Sequence, residues 1–232
     1  MKNVLVNGAS ITRGPNRWPC YFQTATNCNL INLALSGCGH TYIHDNTVTE
    51  LAQRSYDLVL VMWPESGRID MRVGDVDQFD SLRHTSLFES MQNDWPEKIV
   101  EPVNDQDYVQ KDWIFSAGYL QHHQDAIAQV FEPIHKLTTH AQILESELIK
   151  IISLQAILKQ QGTPYLFMFW QPFKRFERFN HYYNMIDWTN VYTDNYLESI
   201  AKQNNWIGED SIHPSDEAHK VFADLIVKRL GF

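Results

Sequence analysis

A serine near one end of this chain and an aspartate–histidine pair near the other are of the types that make a nucleophile. Ser10 lies in Gly8-Ala9-Ser10-Ile11-Thr12-Arg13-Gly14, and His213 lies in Asp210-Ser211-Ile212-His213-Pro214. A serine hydroxyl is a weak nucleophile until a base takes its proton. An imidazole titrates near neutrality, which suits His213 to that task. The ring must present the correct nitrogen, and a carboxylate on its other side enforces this. Asp210 stands three residues earlier, close enough along the chain for one turn to bring the two together. The tetrahedral intermediate also needs donors for its oxyanion. The amides of Ser10 and Gly37 are candidates, since glycine allows close backbone approach. Gly37 also reads as a plain turn glycine, and Gly39 competes with it.

Other chemistries fit less well. The Gly-x-Ser-x-Gly signature is absent around Ser10, because position 12 is Thr, which disfavours an α/β-hydrolase. The run from Gly8 to Gly14 lacks the spacing of a dinucleotide loop. His219 follows His213 with Asp216 between them, but helical spacing does not put all three on one face, so no metal is expected. Cys20, Cys28 and Cys38 match no zinc pattern and read as free thiols in a reducing compartment. His122, His123, His135 and His140 have no partner pattern. No cofactor is indicated, and the serine mechanism needs none. Arg68 has two readings: an ion pair with Glu65 or Asp70, or a contact with an anionic substrate group.

The elements that must position these residues are legible as four short apolar runs: Val4-Leu5-Val6, Leu30-Ile31-Asn32-Leu33-Ala34-Leu35, Leu58-Val59-Leu60-Val61-Met62-Trp63 and Tyr165-Leu166-Phe167-Met168-Phe169-Trp170. Near-continuous runs mark strands covered on both faces, and such strands are usually parallel. Helical patterns lie between them. Residues 48–54 predict a short helix after Asp45 and Asn46. Residues 133–161 predict a long amphipathic one, with Leu137, Ala141, Leu144, Leu148, Ile151 and Leu158 on its stripe and Gly162 and Pro164 ending it. The last helix starts near Ser215, with Val221, Phe222, Leu225 and Ile226 as its buried stripe and Lys228 and Arg229 at its end.

Alternation of strands and helices predicts an α/β fold, a doubly wound sheet. Ligands in such sheets bind beyond the carboxyl ends of the strands. The chemistry-bearing loops follow that rule: Ser10 comes after the first run, Gly37 after the second, Glu65 to Arg68 after the third. Residues 74–132 break the rhythm and read as an insertion, a lid or pocket wall, within a single domain spanning 1–232. Trp95, Trp113, Tyr119, Trp188 and Tyr192 read either as core and lid or as stacking platforms for a sugar.

The formal net charge of -9 argues against nucleic acid, whose phosphates need clustered Lys and Arg. No stretch has the length of a membrane span, and the N-terminal apolar run is too short for a signal peptide. A cytoplasmic protein acting on a small molecule is expected, with no prediction of oligomeric state.

The sequence resembles the SGNH, or GDSL-type, hydrolases. Gly8-Ala9-Ser10 stands at their Gly-Asp-Ser block, Gly37 at their second block, and Asp210 and His213 at their Asp-x-x-His block. The resemblance implies a flavodoxin-like three-layer sandwich, a Ser10–His213–Asp210 set, and hydrolysis of carboxylic esters, often acyl groups on sugars and lipids. Acyl transfer to a sugar, or carbohydrate binding without catalysis, are alternatives on the same scaffold. Two departures stand out. Ala9 replaces the family's aspartate, and Ser66 falls where the third block, Gly-x-Asn-Asp, has its oxyanion-donating asparagine. That donor is therefore lost or replaced, with Ser66 itself or Arg68 as substitutes.

Overall fold

The computed structural model describes residues 1–72, 113–115, 134, 136–173, 175–208 and 213–232. All four apolar runs contribute a strand to one sheet: β1 (Asn3–Gly8), β2 (Asn29–Asn32), β3 (Leu58–Trp63) and β6 (Tyr165–Phe169), although the second run leaves its strand at Leu33. A fifth strand, the two-residue β7 (Val191–Tyr192), extends it. The strand order is β2-β1-β3-β6-β7, and every pairing is parallel. The expected α/β, flavodoxin-like sandwich is therefore present. β7 was not read from the sequence because two residues inside a polar, aromatic stretch give no periodicity. A second, two-stranded antiparallel sheet pairs β4 (Asp70–Arg72) with β5 (Trp113–Phe115). It ties together the two ends of segment 73–112. The rest of the expected insertion, with Trp95, Tyr108, Tyr119, His122 and His123, lies outside the described residues, as does His135.

Alternation along each strand divides the core into two layers. Leu5, Val59, Val61, Trp63 and Phe167 face α2 (His40–Gln53) and α3 (His140–Gln161). Val4, Val6, Leu60, Met62 and Met168 face α1 (Trp18–Thr26), α5 (Leu197–Asn204) and α6 (Asp216–Leu230). A short α4 (Asn180–Tyr183) packs beside α3. Right-handed crossovers place consecutive helices on the faces of such a sheet. Each helix that follows a strand then begins at the carboxyl edge.

Two helix boundaries differ from the sequence expectation, and a third helix buries a different set of residues. α2 spans His40–Gln53, not 48–54. Asp45 and Asn46, expected to precede it, lie inside it, and Asn46 bonds back to the Tyr42 carbonyl at 3.1 Å. α3 begins at His140, capped by Thr139 in a reciprocal box with Gln142. Leu137 precedes that cap and is 84% exposed, so it does not belong to the buried stripe. α6 starts after Ser215 as expected, but Ala218, His219, Phe222, Ala223 and Ile226 are its buried residues, with Val221 and Leu225 only partly covered. Among the described residues, no helix is long and apolar enough to cross a membrane.

Candidate active site

The turn after β1 presents Ser10. Gly8 closes β1, and a Cβ there would lie 2.4 Å from Thr12 Oγ1 and 3.0 Å from the Met62 carbonyl oxygen. Only glycine lets the chain turn this tightly against β3. The turn is closed by the Thr12 and Arg13 amides donating to the Ala9 carbonyl at 2.9 and 3.2 Å. It is tethered from β2 by Asn32 Nδ2, which donates to the Thr12 carbonyl at 2.9 Å. Asn7, fully buried, donates through Nδ2 to the Ile43 carbonyl and to Thr47 Oγ1. It thereby stitches the end of β1 to α2.

His213 meets Ser10 across the whole chain: Ser10 Oγ lies 3.1 Å from His213 Nε2. The chain on either side of 209–212 is tied together. Gly208 donates its amide to the His213 carbonyl at 2.7 Å, Ser215 donates to the Trp206 carbonyl at 2.9 Å, and Ile207 bridges Pro214. Asp210 lies outside the described residues. His219, one helical turn into α6, is fully buried. Its Nδ1 lies 3.3 Å from the Trp18 amide and its Nε2 3.1 Å from Arg17 Nη1. Burial, with Arg17 and His213 nearby, pushes its pKa down to about 3, so it stays neutral. Among the described residues no group of three or more His, Cys, Asp or Glu could hold a metal ion.

The loop from Ser36 to Gly39, after β2, carries the two competing glycines. Gly37 sits at φ 80°, in the left-handed region that favours glycine. Among the described residues, no acceptor takes the amide of Gly37 or of Ser10. Gly39 differs: its amide donates to Asp70 Oδ1 at 2.7 Å. The Gly39 amide is therefore already engaged. Asp70 Oδ2 also accepts from the Tyr42 amide at 2.9 Å. Asp70 thus caps α2 from another element, in place of the missing local cap at Gly39. Burial pushes the Asp70 carboxyl up to about 6, against the pull of those amide bonds and Arg68.

Arg68 donates through Nε and Nη2 to Glu65 Oε1 at 3.0 and 2.6 Å, and through Nη1 to the Cys38 carbonyl at 2.9 Å. Of its two expected readings, the ion pair with Glu65 is present. Glu65 Oε2 in turn accepts from Trp170 Nε1 at 2.9 Å. Ser66 is exposed, and its hydroxyl hydrogen-bonds Glu147. Glu147 Oε1 also accepts the Gly67 amide at 2.9 Å. Burial pushes the Glu147 carboxyl up to about 7. His40 stacks flat on Trp63 with ring centroids 5.1 Å apart, and burial lowers its pKa to about 3. His40 Nδ1 and Glu147 Oε1, 3.5 Å apart, therefore meet near pH 6 as neutral groups and not as an ion pair. Both side chains, with Arg68 and Asp70, line a pocket of about 220 Å³ at the amino end of α2.

Several of these residues were not read from the sequence. Glu147 falls between Leu144 and Ile151 on the buried side of α3, so the helical period held a signal for it. Asp70 was read only as an alternative ion-pair partner of Arg68; its capping of α2 held no signal, because the amides it accepts lie 28 and 31 residues away. The sugar-platform reading fails for Tyr192, which is 4% exposed and packs edge-on against Phe222. Trp188 is only partly buried, stacks under Arg175 at 4.1 Å and donates to the Tyr183 carbonyl. Cys20, Cys28 and Cys38 are free, as expected.

No protein-family model matches the sequence, and no curated protein matches it. Solved structures do match. A catalytic mutant of the acetylxylan esterase Axe2 from Geobacillus stearothermophilus aligns with 100% of this chain and 94% of its own, at 13% identity and a TM-score of 0.50. The chain has the SGNH-hydrolase fold. Two further matches are the psychrotrophic esterase EstA from Pseudoalteromonas sp. and a GDSL-like lipase from Parabacteroides merdae. The first has 11% identity, covers 100% of this chain and 97% of its own, and has a TM-score of 0.49. The second has 11% identity, covers 99% and 95%, and has a TM-score of 0.48. On the SGNH scaffold of this chain, the turn after β1 and the segment before α6 deliver Ser10 and His213 to one point.

Proposed function

We propose that this chain is a carboxylic ester hydrolase that works through Ser10. The observation that carries the reading is the 3.1 Å contact between Ser10 Oγ and His213 Nε2. Two residues 203 positions apart meet at the carboxyl edge of a parallel sheet, where such folds bind ligands. His213 takes the Ser10 proton as Oγ adds to the ester carbonyl. The amides of Ser10 and Gly37 hold the oxyanion. His213 then returns the proton to the leaving alcohol, and water releases the acid by the same steps in reverse. Asp210 orients His213, on the strength of its spacing in the sequence. Ser66 is less suited to the oxyanion than it seemed from the sequence, because Glu147 takes its hydroxyl. Two amides then serve where the family has three donors, and a missing donor costs about 3–4 kcal/mol of transition-state stabilisation. Turnover should be slow for this class.

The substrate is a small ester, and a short acyl group such as O-acetyl on a carbohydrate is the first to test. The Geobacillus neighbour is described as an acetylxylan esterase. Release of acetate from 4-nitrophenyl acetate and acetylated xylose should occur with wild type and be abolished in Ser10→Ala. Equal turnover by folded Ser10→Ala would refute the assignment.

A further inference from the structure

The segment after β3 lacks the asparagine of the family that the sequence resembles, yet it is densely bonded. Its bonds converge on one peptide group. The Cys38 carbonyl accepts from Arg68 Nη1 at 2.9 Å, and the Gly39 amide donates to Asp70 Oδ1 at 2.7 Å. These two atoms are the polar ends of the same peptide plane, so Arg68 and Asp70 grip it from both sides. The approach is close enough that a Cβ on Gly39 would lie 2.8 Å from Arg68 Cβ. Cys38 is fully buried, and its Sγ donates to the Gly8 carbonyl at 3.3 Å, which ties the same loop to β1. Arg68 is itself held by Glu65, and Glu65 by Trp170. The chain of bonds thus runs from the end of β6, past the end of β3, to the loop after β2. Immediately upstream of the gripped peptide is Gly37, in a left-handed conformation at the third position of a turn that the Cys38 amide closes on the Leu35 carbonyl at 3.4 Å.

We propose that Arg68, backed by Glu65 and working with Asp70, is a positioning residue for the Gly37 oxyanion amide. The inference rests on the ester-hydrolase reading above. In this chain the third loop supplies no donor of its own; it fixes the aim of a donor in the second loop. An oxyanion donor must sit within a few tenths of an ångström of its productive position, and it acts on the transition state more than on the bound ester. Loosening the clamp therefore lowers kcat and spares KM. A direct substrate contact by Arg68 would do the opposite.

The test measures kcat and KM on 4-nitrophenyl acetate, with fluorophosphonate labelling of Ser10 and a circular-dichroism melt for each variant. Arg68→Gln should remain folded, lose about 10- to 100-fold in kcat, and keep KM within about twofold. Arg68→Lys should recover part of the loss, because an ammonium reaches the Cys38 carbonyl without the fork onto Glu65. If Arg68→Gln does not fold, Glu65→Gln carries the test, since it keeps the shape and frees the guanidinium; several-fold loss in kcat with KM unchanged is expected. Unchanged kcat in the folded variant, or a loss confined to KM, overturns the clamp. A wild type that neither labels at Ser10 nor turns over overturns the ester-hydrolase reading itself, and the clamp with it.

Discussion

Gly39→Ala probes the gripped loop without touching any reacting group. Gly39 has φ −112°, where alanine meets no backbone strain, so any effect comes from contact. The new Cβ would stand 2.8 Å from Arg68 Cβ and 3.0 Å from Asp70 Oδ2. Carbon atoms in contact keep about 3.5 Å or more, so the loop must shift by about 0.7 Å. Arg68 Cβ is fixed to its backbone and cannot swing aside. The shift stretches the 2.7 Å bond from the Gly39 amide to Asp70 past the usual limit of about 3.2 Å. Overpacking costs about 1–3 kcal/mol, and a bond to a charged acceptor about 1.5–3 kcal/mol. These overlap, so the expected loss is about 2–4 kcal/mol. For a chain of this size that lowers Tm by about 5–15 °C. Urea and thermal unfolding followed by circular dichroism read it out. A Tm within about 2 °C of wild type would refute the packing on which the clamp depends.

Glu147→Gln should change how stability depends on pH. The Glu147 carboxyl, pushed up to about 7 by burial from an ordinary 4.5, keeps a proton in the native state that the unfolded chain releases between those values. Its contribution therefore becomes more destabilising as pH rises through that window and is fully felt above pH 7. Glutamine keeps an acceptor for the Gly67 amide and carries no charge, so the variant should gain on the order of 2–3 kcal/mol over wild type between pH 5 and pH 8; a difference that is flat with pH would contradict this. Thr139→Ala removes the capping box of α3 and should cost about 1 kcal/mol in urea unfolding, with no change in turnover. His213→Gln should fold and lose about 10⁴-fold or more in kcat on 4-nitrophenyl acetate; a loss below tenfold would remove His213 as the base.

The frame of the fold was legible because buried parallel strands announce themselves. Val4-Leu5-Val6, the run from Leu58 to Trp63 and the run from Tyr165 to Phe169 are apolar on both faces, and all lie in the sheet core. Ser10 and His213 were legible because each sits just beyond an element that could be read, the end of β1 and the start of α6. Residues whose partners are remote in sequence were hidden. Asp70 caps a helix that begins 30 positions earlier, and Glu65 finds Trp170 105 positions later. No local pattern encodes either. The start of α2 was missed for the same reason: its cap comes from Asp70, so His40 to Thr47 carry no local start signal. That the Gly39 amide is engaged was hidden too, because its acceptor, Asp70, lies 31 positions away.

The most direct measurement is covalent labelling of the purified chain with a fluorophosphonate, read by intact mass and peptide mapping in wild type and Ser10→Ala. Such a probe bonds a serine whose base can take its proton. The account predicts one adduct per chain, on Ser10, lost in Ser10→Ala and much slowed in His213→Gln. No adduct on folded wild type, or an adduct that survives in Ser10→Ala, would contradict it.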